Sequence, residues 1–139
     1  MRFVYGVHVE RAEGRYMVSV RDLPEVVTDG ETHAEALANA SEAITGVLLA
    51  KIEAGEEIKA PGIVQENEIA IAPELKTQLA CWLALPREES LNRIATKAGT
   101  TWGELRKMKQ AKKDSSASFI DRIGKALNTK VIIDFQLID

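Results

Sequence analysis

The chain has 139 residues, 45% hydrophobic and 28% charged, a balance that excludes disorder along its whole length and allows one medium domain or two small ones. Its single cysteine, Cys81, excludes an internal disulfide and a cysteine zinc knuckle, and no apolar run approaches the roughly 20 residues that cross a membrane. The net charge of -3 hides a split: residues 1–72 carry 6 Lys+Arg against 13 Asp+Glu, a net of -7, whereas residues 73–139 carry 12 against 8, a net of +4. An acidic module suits a basic partner and a basic module suits nucleic acid, although charge also varies by chance along any chain.

Residues 3–10 alternate with a period of two, placing Phe3, Tyr5, Val7 and Val9 on one face and Val4, Gly6 and His8 on the other. This predicts a strand. A polar turn over 11–15 leads to a second alternating run over 16–21, so the two strands form a hairpin. Asp22-Leu23-Pro24 interrupts the ladder, since proline donates no hydrogen bond. A short strand over 26–28 follows, closed by Asp29-Gly30. Thr32 and Glu35 then have the spacing of a capping box. Leu37, Ala40, Ile44, Leu48 and Ile52 make the apolar stripe of the helix it opens, and Gly55 stops that helix. Residues 67–72 alternate weakly as a fourth strand. The order β-β-β-α-β gives an α+β layer over residues 1–72.

Residues 73–139 read as helical with a terminal strand. Pro73 and Glu74 suit a first turn, and Leu75, Leu79, Trp82 and Leu83 give that helix a buried stripe. Pro86 ends it and opens the next, with Glu88 and Glu89 in its first turn and Leu91, Ile94, Ala95 and Ala98 on its apolar face. Gly99 permits a turn of positive φ. Thr101-Trp102-Gly103-Glu104 is a second capping box, and Leu105 and Met108 anchor the helix after it. Phe119, Ile120, Ile123 and Leu127 stripe a last helix, with Asn128 as a left-handed cap. Residues 131–138, rich in β-branched and aromatic side chains, predict a strand that either pairs two chains or packs within one.

Two of these helices carry a chemical signal. A helix-turn-helix needs a small residue where the helices cross, a turn glycine and an apolar anchor in the second helix. Ala95, Gly99 and Leu105 supply these at spacings of four and six. Between positions 101 and 113, five bases (Arg106, Lys107, Lys109, Lys112 and Lys113) face one acid, Glu104. Thr101, Trp102, Gly103, Arg106, Lys107 and Lys109 are therefore the expected DNA contacts. The rival is a solvated basic face on a structural helix, with Trp102 packed in the core.

Catalysis has less to stand on. The only histidines, His8 and His33, have no nucleophile tied to them. Asp22, Asp29 and Glu31 cluster near the third strand and could hold Mg²⁺, but turn and cap chemistry explains them better. No phosphate-cradling glycine loop and no His/Cys metal spacing occur. No enzyme activity, cofactor or metal is expected. No leader for secretion is read at the N-terminus, so the expected location is the cytoplasm.

The segments Tyr5-Gly6-Val7-His8-Val9, Gly14-Arg15-Tyr16-Met17-Val18-Ser19-Val20, Asp22-Leu23-Pro24, Thr28-Asp29-Gly30-Glu31-Thr32 and Glu35-Ala36-Leu37-Ala38-Asn39-Ala40 together resemble the HicB family of antitoxins. The likeness covers about residues 5–61. Glu25 departs from it, standing where the family usually has glycine, which alters that turn and its contacts. The resemblance implies a partial RNase H-like fold that lacks a complete metal-binding carboxylate set and covers a HicA toxin. Such toxins are small basic proteins, similar to double-stranded-RNA-binding folds, that cleave mRNA through a histidine. Family members carry either a helix-turn-helix or a ribbon-helix-helix at the C-terminus, and the helical patterns after Pro73 favour the former.

The expectation is therefore two domains. Residues 1–72 neutralise a HicA-like toxin, with Asp22, Glu25 and Asp29 as candidate contacts. Residues 73–139 dimerise, or form a higher even oligomer, and bind operator DNA to repress the chain's own operon. The alternatives are a stand-alone transcription regulator with a non-toxin sensing domain and an RNase H-like nuclease.

Overall fold

The computed structural model describes residues 3–112, 114 and 116–128. The strand expected over 131–138 and the base at 113 lie outside these residues. The fold is α+β. Strands β1 (Tyr5–Ala12), β2 (Arg15–Val20), β3 (Val27–Gly30) and β4 (Ile69–Ile71) form one sheet in the order β3-β2-β1-β4, every neighbour antiparallel. Helix α1 (His33–Glu53) packs on one face of it. Helices α2 (Leu75–Ala84), α3 (Leu91–Ala98), α4 (Trp102–Lys109) and α5 (Ala117–Ala126) follow.

The β1–β2 turn is tighter than the expected polar stretch over 11–15. Ala12 pairs with Arg15, leaving Glu13 and Gly14 as a two-residue loop with φ of 52° and 77°. Positive φ at both central positions matches the right-handed twist of the flanking strands. Across the hairpin, Val7 faces Val20 and Val9 faces Val18 on the covered side. The opposite side stays open, with His8 beside Ser19 and Val27 three-quarters exposed.

Helix α1 starts and ends as its sequence predicts. The Thr32 hydroxyl accepts the Glu35 N–H at 3.0 Å. At the other end Gly55 takes φ 72°, its N–H bonds the Ile52 carbonyl, and the Glu56 N–H bonds that of Lys51. These two bonds form a Schellman motif and satisfy carbonyls the helix end would otherwise orphan. Leu37, Ala40, Ile44 and Leu48 are buried against Tyr5, Val7, Val18 and Val20. Fully burying Ile44 or Leu48 stabilises the fold by about 1.5–3 kcal/mol each.

The expected starts of the next two helices are corrected. Helix α2 begins at Leu75, not in the turn containing Pro73, and Glu74 caps it from outside without a side-chain bond. The Glu74 N–H is instead taken by the Thr45 hydroxyl of α1 at 2.9 Å. Leu75 is 39% exposed, while Thr77, Ala80, Cys81 and Leu83 are buried, so the apolar face is rotated from the expected stripe. Helix α3 begins at Leu91, not at Pro86. Leu85 is extended with ψ 142°, as a residue before proline tends to be. Ser90 supplies the cap by accepting the Arg93 N–H at 3.2 Å, so Glu88 and Glu89 precede the helix and Glu89 pairs with Lys97 and Arg93.

Helix α2 joins two cores. Cys81 is buried in the cluster under the sheet, with Trp82 packed on it. Leu83 belongs to a second cluster with Ile94, Ala95, Ala98, Leu105, Met108 and Ile123.

Candidate functional site

The helical pair α3–α4 is built by local signals. Gly99 ends α3 with φ 70° and ψ 36°; its N–H bonds the Thr96 carbonyl, and the Thr100 N–H bonds that of Ala95 at 2.9 Å. Thr101 then turns extended, and its hydroxyl accepts the Glu104 N–H at 3.2 Å to open α4. Ala95 (1% exposed) and Leu105 (0%) are buried in the second core with Ile94 and Met108. The two helices are therefore held by a small residue, a left-handed glycine and an apolar anchor.

The opposite side of α4 faces solvent. Thr101, Trp102, Gly103, Arg106, Lys107 and Lys109 are all exposed, as is Lys112. Trp102 is 47% exposed and lies outside both cores, its ring 5.2 Å from the Arg106 guanidinium carbon. That stacking holds the cation against the ring face while leaving its N–H groups available. Lys107 lies 3.8 Å from Glu104, an exposed contact of little energetic weight.

One side of α4 also lines a cleft of about 360 Å³. Trp102, Arg106, Lys109 and Gln110 contribute to its lining from α4 and its end. Ile52 and the segment Gly55, Glu56, Glu57 and Ile58, just past the end of α1, also line it, as do Ala84 and Leu91. The acidic pair after Gly55 is plain in the sequence, but nothing local in it announces the basic helix fifty residues away.

The three acidic candidates of the N-terminal half are each tied within the chain. Asp29 accepts from Arg15 Nε at 2.7 Å, and this hydrogen bond holds its carboxyl below the usual carboxylate range. Arg15 also reaches Glu31 at 3.6 Å. Glu25 pairs with Lys51 of α1 at 2.7 Å, which likewise lowers its pKa. Glu25 thus pins the β2–β3 turn to the helix. Asp22 accepts the Gly62 N–H at 2.8 Å and does not join Asp29 and Glu31. Among the described residues no group of three or more His, Cys, Asp or Glu could hold a metal ion.

A neighbouring contact lay beyond local sequence reading. Glu68 accepts from Arg21 Nε and Nη2, both at 2.9 Å, and from the Gln65 N–H at 2.8 Å. The Arg21 hydrogen bonds keep the Glu68 carboxyl low. Its carboxylate lies over Gly6, where a Cβ would come within 2.2 Å of Oε1. Glycine at position 6 thus lets the connection before β4 close onto the sheet. Among the described residues no helix is long and apolar enough to cross a membrane.

Comparison with known proteins gives one family. The model of the HicB-like antitoxin of bacterial toxin–antitoxin systems matches residues 4–79, from β1 into α2. Comparison with curated proteins finds no match. The solved structures similar to this chain include two of one bacterial antitoxin. The N-terminal domain of Burkholderia pseudomallei antitoxin HicB is 26% identical, with a TM-score of 0.43 over 52% of this chain and 99% of that one. The Burkholderia pseudomallei antitoxin HicB is 21% identical, with a TM-score of 0.49 over 76% of this chain and 91% of that one.

Proposed function

The chain belongs to the HicB-like antitoxin family of bacterial toxin–antitoxin systems, and from that premise we propose that it binds and inhibits a HicA-like, mRNA-cleaving toxin and represses its own operon by binding operator DNA. The family match over 4–79 carries the first half. The net of -7 over residues 1–72 supports it, because an acidic surface steers a small basic ribonuclease into contact. In this reading the chain is not an enzyme, needs no cofactor and works in the cytoplasm. Asp22, Glu25 and Asp29 are the toxin contacts proposed. Their side chains remain 30%, 47% and 40% exposed despite their internal partners.

The second half rests on α4. It is capped at its start, anchored by Leu105 and Met108, and presents Arg106, Lys107 and Lys109 to solvent, with Lys112 exposed just past its end. Cations at this density on one short helix suit the phosphate backbone, and the first turn suits base edges. Residues 73–139 form the DNA-binding and dimerisation part in this proposal, since helix-turn-helix proteins read two-fold sites as dimers.

The test is a double substitution, Arg106→Ala with Lys107→Ala. Operator binding should weaken at least tenfold and the slope of log K against log salt should fall by about 1–2, while toxin neutralisation is unchanged. Normal repression by this variant would remove α4 as the recognition helix.

A further inference from the structure

The cleft beside α4 is lined by charges of both signs. Trp102, Arg106 and Lys109, spaced four and three apart, put one stripe of the helix on the cleft, and Glu56 and Glu57 line the same cleft. The cleft has a volume of about 360 Å³, so DNA that engages this stripe brings its phosphates close to the Glu56–Glu57 segment lining the same cleft.

We infer that Glu56 and Glu57 act as an intramolecular competitor for the DNA backbone, holding the Trp102–Arg106–Lys109 side of α4 in a low-affinity state. This rests on the reading of α4 as the DNA-binding helix. The segment is fixed at its start by the Schellman motif at Gly55, so Glu56 and Glu57 take their places on the cleft lining from a defined backbone. Lys51 lies 3.5 Å from Glu56 and is shared with Glu25, which blunts the charge at Glu56. Glu57 therefore carries the larger part of the competition. The Gly103–Lys107 side of α4 is outside the cleft lining and keeps a basal affinity for duplex.

The experiment uses the full chain and a labelled 30-base-pair duplex of mixed sequence. Wild type, Glu56→Gln with Glu57→Gln, and each single substitution are titrated at 50 and 200 mM salt. The double variant should bind about threefold to tenfold more tightly at 50 mM salt, with Glu57→Gln giving most of the gain, and the gain should shrink at 200 mM. The same pair in an Arg106→Ala, Lys109→Ala background should give no gain. Glu10→Gln with Glu13→Gln removes equal charge from residues that do not line the cleft, and should give less than half the effect. An equal gain from that control, or no gain while wild type binds, overturns the inference alone. Absence of binding by every folded variant at 50 mM salt overturns the DNA reading of α4 and the inference with it.

Discussion

Gly30 ends β3 where the sheet meets the first turn of α1, and substituting it tests how tightly that junction is packed. A Cβ added there would lie 2.4 Å from the backbone nitrogen of Ala36, 2.8 Å from its Cα and 2.9 Å from the carbonyl carbon of Glu35. All three are backbone atoms, so no rotamer change relieves the clash. Restoring an ordinary 3.4 Å contact moves the helix start by about 1 Å. That start is held by the Thr32 cap and by the buried Ala36 and Leu37. Overpacking of this kind costs about 1–3 kcal/mol, and the rigid neighbours place Gly30→Ala near 3 kcal/mol. At about 2–4 °C per kcal/mol for a chain of this size, Tm should fall by about 6–12 °C in thermal circular dichroism. Gly46→Ala is the companion measurement. Gly46 lies inside α1 with nothing within 4 Å of an added Cβ, so alanine should stabilise by about 0.5–1 kcal/mol. A Gly30→Ala chain that melts within about 2 °C of wild type would refute the packing argument.

Three further outcomes are expected. Leu105→Ala empties a fully buried position of the second core and should cost about 2–5 kcal/mol in urea unfolding; a loss under 1 kcal/mol would mean α4 is not anchored there. Burial pushes the Cys81 thiol up to about 12, so iodoacetamide at pH 8 should leave the native chain unmodified and alkylate it promptly in urea; fast labelling of the native chain would contradict the packing of α2 on α1. The Arg15 hydrogen bond depresses the folded pKa of Asp29, so this pair stabilises above the unfolded value near 4 and its contribution is lost as pH falls through the lower folded value. The Tm gap between wild type and Asp29→Asn should therefore narrow as pH falls below the unfolded value near 4, and a gap constant with pH would show that the pair is not formed.

Much of the fold was legible because its punctuation is local. Thr32 with Glu35, Gly55, Gly99, and Thr101 with Glu104 each satisfy or re-aim backbone groups within a few residues, and each does so where the sequence placed it. Asn128 likewise takes the left-handed φ of 57° expected of a glycine substitute. The starts of α2 and α3 were not legible from prolines. At α2 the deciding partner is Thr45, 29 residues earlier in the chain, which takes the Glu74 N–H. At α3 the serine cap at position 90 outweighs the preference of Pro86 for a first turn. The surface of α4 followed from its apolar stripe, since burying Leu105 and Met108 turns Arg106, Lys107 and Lys109 outward. What periodicity could not give is which neighbour each exposed charge meets: Arg21 on Glu68, Lys51 on Glu25, and the Glu56–Glu57 segment on the cleft beside α4.

The activity proposed for this chain is inhibition of a HicA-like ribonuclease. The most direct measurement is co-expression with a HicA-like protein from an open reading frame adjacent to its gene, read as growth and as co-purification. Growth arrest by that protein alone, rescue by this chain and a stable complex of the two are the expected results. Arrest that persists with this chain present, or two proteins that purify apart, would contradict the account.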